Sequence, residues 1–384
     1  MTGNYAKGCA CASSDAEAIA VGLWVVYVAV RSVQETTQRT AVAPSVVAVP
    51  GENIQFVLCA RGMTMSINLN GFEALEDRVL LAGNVTASIN TLTGAWTITG
   101  DGAANGVSIV DTDANGLYEI ETDATTNLTL VVDGVATNLG LDANSGDIPG
   151  NVDITSIVIN LGAGNDVLFV EGSSISGDLD NTALNVTINM GSGNDIIELQ
   201  GEGDYINLGN VSIDLGAGND RFQDLTTDDG VGVLNLSIKA GAGNDLVLVD
   251  TGLFSVDNLT INMGTGSDRV DLDGVYGYTN DNVETLSLVF GAGADSLTID
   301  DVEVDRTSIK MNGNNGFVRI TDSSFYDSFD LQGGAKADVV EIRNNDFLGV
   351  NTLNGGGGNN VLADLGRNFF SDATTIKSFK IVTV

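Results

Sequence analysis

An aspartate recurs through this chain behind a pair of glycines. Gly162-Ala-Gly-Asn-Asp166, Gly191-Ser-Gly-Asn-Asp195, Gly216-Ala-Gly-Asn-Asp220 and Gly241-Ala-Gly-Asn-Asp245 share one pattern; Gly264-Thr-Gly-Ser-Asp268 and Gly291-Ala-Gly-Ala-Asp295 vary it. Glycines four and two residues before the aspartate let the backbone take φ > 0 and aim carbonyls at one point. Carboxylates with convergent carbonyls are a calcium ligand set, which needs about 6–8 oxygens at about 2.3–2.6 Å. Asp166, Asp195, Asp220, Asp245, Asp268 and Asp295 are therefore the candidate Ca2+ ligands. The chain has no His, and its three Cys (Cys9, Cys11, Cys59) lie far from the motif, which disfavours zinc. A carbonyl-rich loop disfavours magnesium.

The flanks of the motif show what positions it. Degenerate copies end at Gly316, Asp338 and Asn360, and successive intervals are 29, 25, 25, 23, 27, 21, 22 and 22 residues. Seven residues before each aspartate position stand Ile159, Ile188, Ile213, Ile238, Ile261, Leu288, Ile309, Leu331 and Leu353. Two residues after it stand Leu168, Ile197, Phe222, Val247, Val270, Leu297, Val318, Val340 and Leu362. Apolar positions alternate on both sides of the turn, which is the period of a strand with one buried face. Two short strands cannot bury a face alone, so consecutive repeats must stack. The expected fold is all-β: a parallel β-helix, or β-solenoid, of about nine regular rungs of ~24 residues. Trp96 to Ile109 is a worn copy, and Asn127 to Gly134 reads as strand and turn. These are expected to form irregular N-terminal rungs or a cap, so that the β-helix spans 94–384.

Stacking turns the aspartates into a column. Neighbouring carboxylates about 5 Å apart repel by roughly 1 kcal/mol in water and by more at a lower dielectric. A cation between them would relieve this. The alternative is a metal-free Asn/Asp ladder in which each carboxylate accepts the next rung's backbone N–H. Asn165, Asn194, Asn219 and Asn244 suit the left-handed conformation that such a turn could use. A second acidic column, Asp250, Asp273 and Asp300, reads as a solvated face.

The net charge of −35 is unevenly placed. Residues 1–62 balance four acids (Asp15, Glu17, Glu35, Glu52) against four bases (Lys7, Arg31, Arg39, Arg61), so the whole excess lies in 63–384. Such a surface repels nucleic acid and anionic lipid and attracts cations. Absence of His excludes Ser-His-Asp chemistry. The uncharged run Ala18 to Val30 is 13 residues, short of the ~20 that span a bilayer. Residues 1–62 thus read as a non-repeat leader. They are an export signal, a buried element, or sequence upstream of a start at Met63 or Met65.

Two resemblances add to this reading. Leu75-Glu-Asp-Arg-Val-Leu-Leu81 resembles the LEPR-XLL motif of large bacterial exported and surface proteins, with Asp77 where that pattern has Pro. It implies that 63–93 is an export segment and that the protein is extracellular or at the cell surface. Gly-Ala-Gly-Asn-Asp, with an apolar residue two positions on, resembles the RTX, or haemolysin-type, calcium-binding repeat. Leu161, Met190, Leu215, Ala240, Met263 and Phe290 replace that family's first Gly, and the period is ~24 residues rather than nine. The resemblance implies one calcium column along one edge of a wider coil.

The expected function is accordingly non-enzymatic: a calcium-binding β-helix with a structural or adhesive role at the cell surface. Its expected partners are surface polysaccharide or other surface proteins, with no nucleic acid and no membrane span. The competing readings are a metal-free structural solenoid and a β-helix lyase or hydrolase acting on polysaccharide. For the enzyme, Asp271, Asp273, Asp300 and Asp301 would form the carboxylate group. The bases Arg269, Arg306, Lys310, Arg319 and Arg343 are scattered and form no cluster for a polyanion.

Overall fold

The computed structural model describes residues 55–60, 63–68, 83–113, 117–145, 154–172, 185–201, 206–224, 231–277, 282–313, 315–371 and 373–383. The apolar run at 18–30 and the LEPR-XLL-like residues 75–81 lie outside them. The chain divides into two units, Met1–Arg78 and Val79–Val384. In the first, Gln55–Ala60 pairs antiparallel with Met63–Asn68. The compositional boundary at 62/63 therefore falls between two paired strands. Among the described residues no helix is long and apolar enough to cross a membrane.

The second unit is an all-β parallel solenoid. Strands before each turn stack in one column: Ala95–Thr99, Ser156–Asn160, Asn185–Asn189, Ile206–Asp214, Val231–Lys239 and their successors. Strands after the turn stack in a second: Gly106–Asp113, Val167–Gly172, Ile196–Gly201, Arg221–Asp224 and theirs. Leu246–Asn262 runs through both columns as one bent strand. The register is the one that the sequence pattern requires. Ile98, Ile159, Ile188, Ile213, Ile238, Ile261, Leu288 and Ile309 pair in succession. All of them are buried, because alternate residues of every strand face the same interior.

The residues that replace the first RTX glycine explain themselves here. Leu161, Met190, Leu215, Ala240, Met263 and Phe290 are fully buried and close the core just before the turn. A glycine would leave a hole at each rung.

The N-terminal end departs from simple coiling. Gly83–Asn90 pairs antiparallel with Ala95–Thr99, Gly106–Asp113 with Leu117–Thr122, and Thr126–Val132 with Val135–Leu141. The worn copy is a true rung, since Ile98 pairs with Ile159 and Val107 with Leu168. The segment 117–145 is built into hairpins, and its strand Thr126–Val132 also stacks parallel on Gly83–Asn90.

Candidate functional site

The stack brings all six sequence-predicted aspartates into one column along the turn edge. The residue three before each also pairs rung to rung: Ala163, Ser192, Ala217, Ala242, Thr265 and Ala292 form successive parallel bridges. The turn therefore continues the sheet instead of leaving it.

Glycine is required by this stacking as well as by φ. Gly216 and Gly218 sit at φ 103° and 152°. A Cβ on Gly216 would lie 1.9 Å from Gly191 O, and one on Gly218 1.4 Å from Gly193 O. Asn165, Asn194, Asn219 and Asn244 do not take the expected left-handed conformation. The two glycines supply all the positive φ that the turn needs.

Each aspartate is buried, with 0–3% of its surface exposed. Oδ1 of Asp195 accepts the Asp166 amide at 2.8 Å, Asp220 that of Asp195 at 2.8 Å, and Asp245 that of Asp220 at 2.8 Å. Asp268 accepts the Asp245 amide at 3.0 Å, and Asp295 that of Asp268 at 3.1 Å. Asp166 accepts the amide of Asn105, which holds the same position in the worn copy, at 2.7 Å. A carboxylate ladder thus exists, but it runs opposite to the expected direction: each acid takes the preceding rung's N–H. The neighbouring asparagines run the expected way. Asn165 Oδ1 accepts the Asn194 amide at 2.8 Å, and Asn194 that of Asn219 at 2.7 Å. The two columns lock adjacent rungs from both directions.

The oxygens that calcium would need take part in the stacking of the rungs. One oxygen of each carboxylate is committed to an amide, and the turn carbonyls are committed too. Ala240 O accepts from Gly216 N at 3.1 Å, Gly241 O from Thr265 N at 2.8 Å, and Ala242 O from Gly218 N at 2.8 Å. Gly243 O points at the next glycine, 1.3 Å from where a Gly266 Cβ would stand. That leaves Oδ2 as the one carboxylate oxygen without a partner on the rungs from Asp166 to Asp268, where calcium takes about 6–8 oxygens in all. Among the described residues no cluster of three or more acids or cysteines could hold a metal ion.

That remaining oxygen is the anomaly of the site. Oδ2 of Asp166, Asp195, Asp220, Asp245 and Asp268 is buried and has no hydrogen-bond partner. Burial raises the Asp220 pKa to about 7, helped by the Asp195 and Asp245 carboxylates and opposed by the Asp195 amide. Asp166 and Asp268 are pushed to about 6, again chiefly by burial. Asp195, Asp245 and Asp295 move upward for the same reason.

The acids considered for hydrolysis are held differently. Asp250, Asp273 and Asp300 stack in register on the second sheet. Asp271 is ion-paired with Arg269. Asp300 accepts from Thr321 Oγ1 at 2.6 Å, and Asp301 from the Tyr276 hydroxyl at 3.0 Å. Burial and this contact raise the Tyr276 pKa.

A second ladder escaped sequence reasoning. Ser323 Oγ accepts the Val302 amide at 3.1 Å, Asn345 Oδ1 the Ser323 amide at 3.0 Å, and Asn368 Oδ1 the Asn345 amide at 3.0 Å. Each follows a residue at positive φ: Asp322 at 51°, Asn344 at 55° and Arg367 at 62°. The Asp-Ser, Asn-Asn and Arg-Asn pairs recur at the rung spacing, and that recurrence was the available signal. Comparison with protein-family models, with curated proteins and with solved structures finds no match to this chain.

Proposed function

We propose that this chain is a non-enzymatic structural rod that works outside the cell in a scaffolding or adhesive role. The observation that carries the reading is the turn column, whose amides, carbonyls and carboxylate Oδ1 atoms are used to join rung to rung. The most conspicuous chemistry in the sequence is thereby directed inward. The acidic groups on the second sheet support the same reading, because Asp271, Asp300 and Asp301 are engaged by Arg269, Thr321 and Tyr276. Export rests on the LEPR-XLL-like residues and on the charge of −35, which suits a solvated surface.

The test has two arms. Fractionation of producing cells should recover the protein at the surface or in the medium, and reducing-end assays on acidic polysaccharides should stay at background. Recovery from the cytosol would overturn the location. New reducing ends that vanish in Asp271→Asn or Asp300→Asn would overturn the structural role.

A further inference from the structure

The outer face of the first sheet is made of three columns of side chains. In strand Asn185–Asn189 the residues that point away from the core are Asn185, Thr187 and Asn189, since Val186 and Ile188 are buried. On the next three rungs the first column continues as Asn210, Asn235 and Asn258, and the second as Ser212, Ser237 and Thr260. The third continues as Asp214, Lys239 and Asn262. The register runs through these rungs without a shift, so the side chains repeat at the strand spacing of ~4.8 Å.

Two independent properties set this face apart. The first is rigidity. Asn210 Nδ2 donates to Asn185 Oδ1 at 2.9 Å, Asn235 Nδ2 to Asn210 Oδ1 at 2.7 Å, and Asn258 Nδ2 to Asn235 Oδ1 at 3.0 Å. A side-chain amide has two N–H groups and an oxygen with two lone pairs. At Asn210 and Asn235, both exposed, the ladder takes one of each and leaves the other donor and lone pair to solvent. The exposed hydroxyls of Ser212 and Thr260 beside them both donate and accept. The array is thus ordered before anything binds, which lowers the entropy lost on binding.

The second property is charge. The chain has 51 acids and 16 bases. The outward positions of these rungs hold one of each, Asp214 and Lys239, and the two pair at 3.8 Å. The outer face of the second sheet, by contrast, carries Glu198, Arg269, Asp271 and Asp273. A polyanion is repelled by the net charge of −35, and a polycation is drawn to the acids elsewhere. The ligand that matches this face is uncharged, periodic, and rich in groups that both donate and accept.

We propose that the face from Asn185 to Asn262 binds an uncharged polysaccharide laid along the rod, its hydroxyls meeting one amide and one hydroxyl per rung. A single such contact is weak, because it replaces a bond to water. Repeated on one rigid partner, the contacts reinforce each other through effective concentration. The inference rests on the adhesive reading of the rod and names what the rod adheres to.

The experiment is co-sedimentation of the purified full chain with insoluble cellulose, chitin, a β-1,3-glucan and a mannan, and with cross-linked polygalacturonate as the polyanion. Wild type is compared with Ser212→Glu and Thr260→Glu on the face, and with Ser296→Glu at an outward position of the second sheet as a control of equal charge change. Wild type should bind at least one uncharged glycan and not polygalacturonate, and should keep its binding at high salt, where charge attraction is screened. Each face variant should bind about tenfold or more weakly, because the ligand would cover an unpaired carboxylate, while melting with the control. Binding to none of the uncharged glycans, equal binding by face variants and control, or binding that high salt abolishes would overturn the proposal. So would a dimer in sedimentation velocity that the face variants lose, since the face would then belong to a second copy. Recovery of the protein from the cytosol would instead overturn the location and leave this binding measurable, so the two failures are told apart.

Discussion

The rungs from Asp166 to Asp295 and those from Gly316 to Asn360 share one register but are held by different chemistry. In the first group the column position is always an acid, fully buried, with Oδ1 bonded and Oδ2 unpartnered in all but the last. In the second it is filled in turn by Gly316, by Asp338 and by Asn360. Asp338 has both oxygens bonded, to the amides of Gly316 at 2.9 Å and Gly334 at 2.8 Å. These rungs add the Ser323–Asn345–Asn368 ladder. They also add an aromatic core in which Phe325, Phe347 and Phe370 stack with centroids 5.2 and 5.0 Å apart. The contrast separates what the coil needs from what one stretch of it has. It needs a filled interior and turns that keep the register; it does not need an acid, since Gly316 holds the position with no side chain at all.

Glycine substitutions should separate the two groups most strongly. Gly218→Ala puts a Cβ 1.4 Å from Gly193 O on a backbone at φ 152°. The rungs can relieve that only by separating, so the cost should exceed ~4–5 kcal/mol, the range of severe single substitutions. At Gly316 the nearest atoms to a Cβ are Met311 Cε at 3.0 Å and Asp338 Oδ1 at 3.1 Å. The Met311 side chain can shift, so Gly316→Ala should cost about 1 kcal/mol or less. Denaturant unfolding of the two variants checks the comparison, and equal costs would break it.

Core truncation should come next. Ile238 and Phe347 are both fully buried, one in the acid rungs and one in the aromatic stack. Ile238→Ala should cost ~2–5 kcal/mol and Phe347→Ala ~3–5 kcal/mol, by lost burial and by the cavity left behind. Phe347 also meets Phe329 edge-on at 5.0 Å, a contact that alanine removes as well. A cost of a few tenths at Ile238 would mean that the rung register is wrong.

These residues also mark how much was legible in the sequence. The Ile238 column could be read because stacking forces one side-chain type to recur at one offset from the turn. The aspartate column could be read for the same reason, but its bonding could not. Adjacent side chains in the same turn bond in opposite directions, Asp195 to the preceding rung's amide and Asn194 to the following one's, and letter and spacing do not tell these apart. Hairpins such as Thr126–Val132 with Val135–Leu141 carry no repeat, so spacing could not place them. The ladder through Asn345 was hidden because Ser, Asn and a preceding Arg do the same geometric work without sharing a letter.

Moving the acid chemistry into the neutral rungs should have a smaller, pH-dependent effect. Asn360→Asp keeps the acceptor for the Asp338 amide but loses the Nδ2 donor to Gly355 O. At alkaline pH the cost should be ~1–3 kcal/mol, the price of an unsatisfied buried group. At about pH 4 the new carboxyl is neutral and the cost should nearly vanish. Melting curves of this variant and wild type at the two pH extremes decide it. A cost that does not change with pH would mean that lost packing, and not the missing proton, separates the two groups of rungs.

The smallest effect is expected where the second ladder is least well made. Asp322 and Asn344 precede their ladder residues at positive φ, and Asn344 Nδ2 donates to Asp322 Oδ1. Arg367 holds the same place one rung on, at φ 62°. Arginine has no short polar side chain to support that conformation, whereas asparagine enters it readily. Arg367→Asn would relieve this strain and place an amide where it can extend the contact between Asp322 and Asn344. It also removes one base from a chain of net charge −35, which acts slightly against it. The backbone term should win, because Arg367 is exposed between strands and forms no ion pair among the described residues. The expected gain is about 0.5–1 kcal/mol, the usual size of a substitution that fits a special backbone conformation. Chemical unfolding at high salt, where the lost base is screened, should show the gain undiminished. A loss of stability under those conditions would mean that the left-handed turn is held by packing around the Arg367 stem, and that the second ladder depends on it.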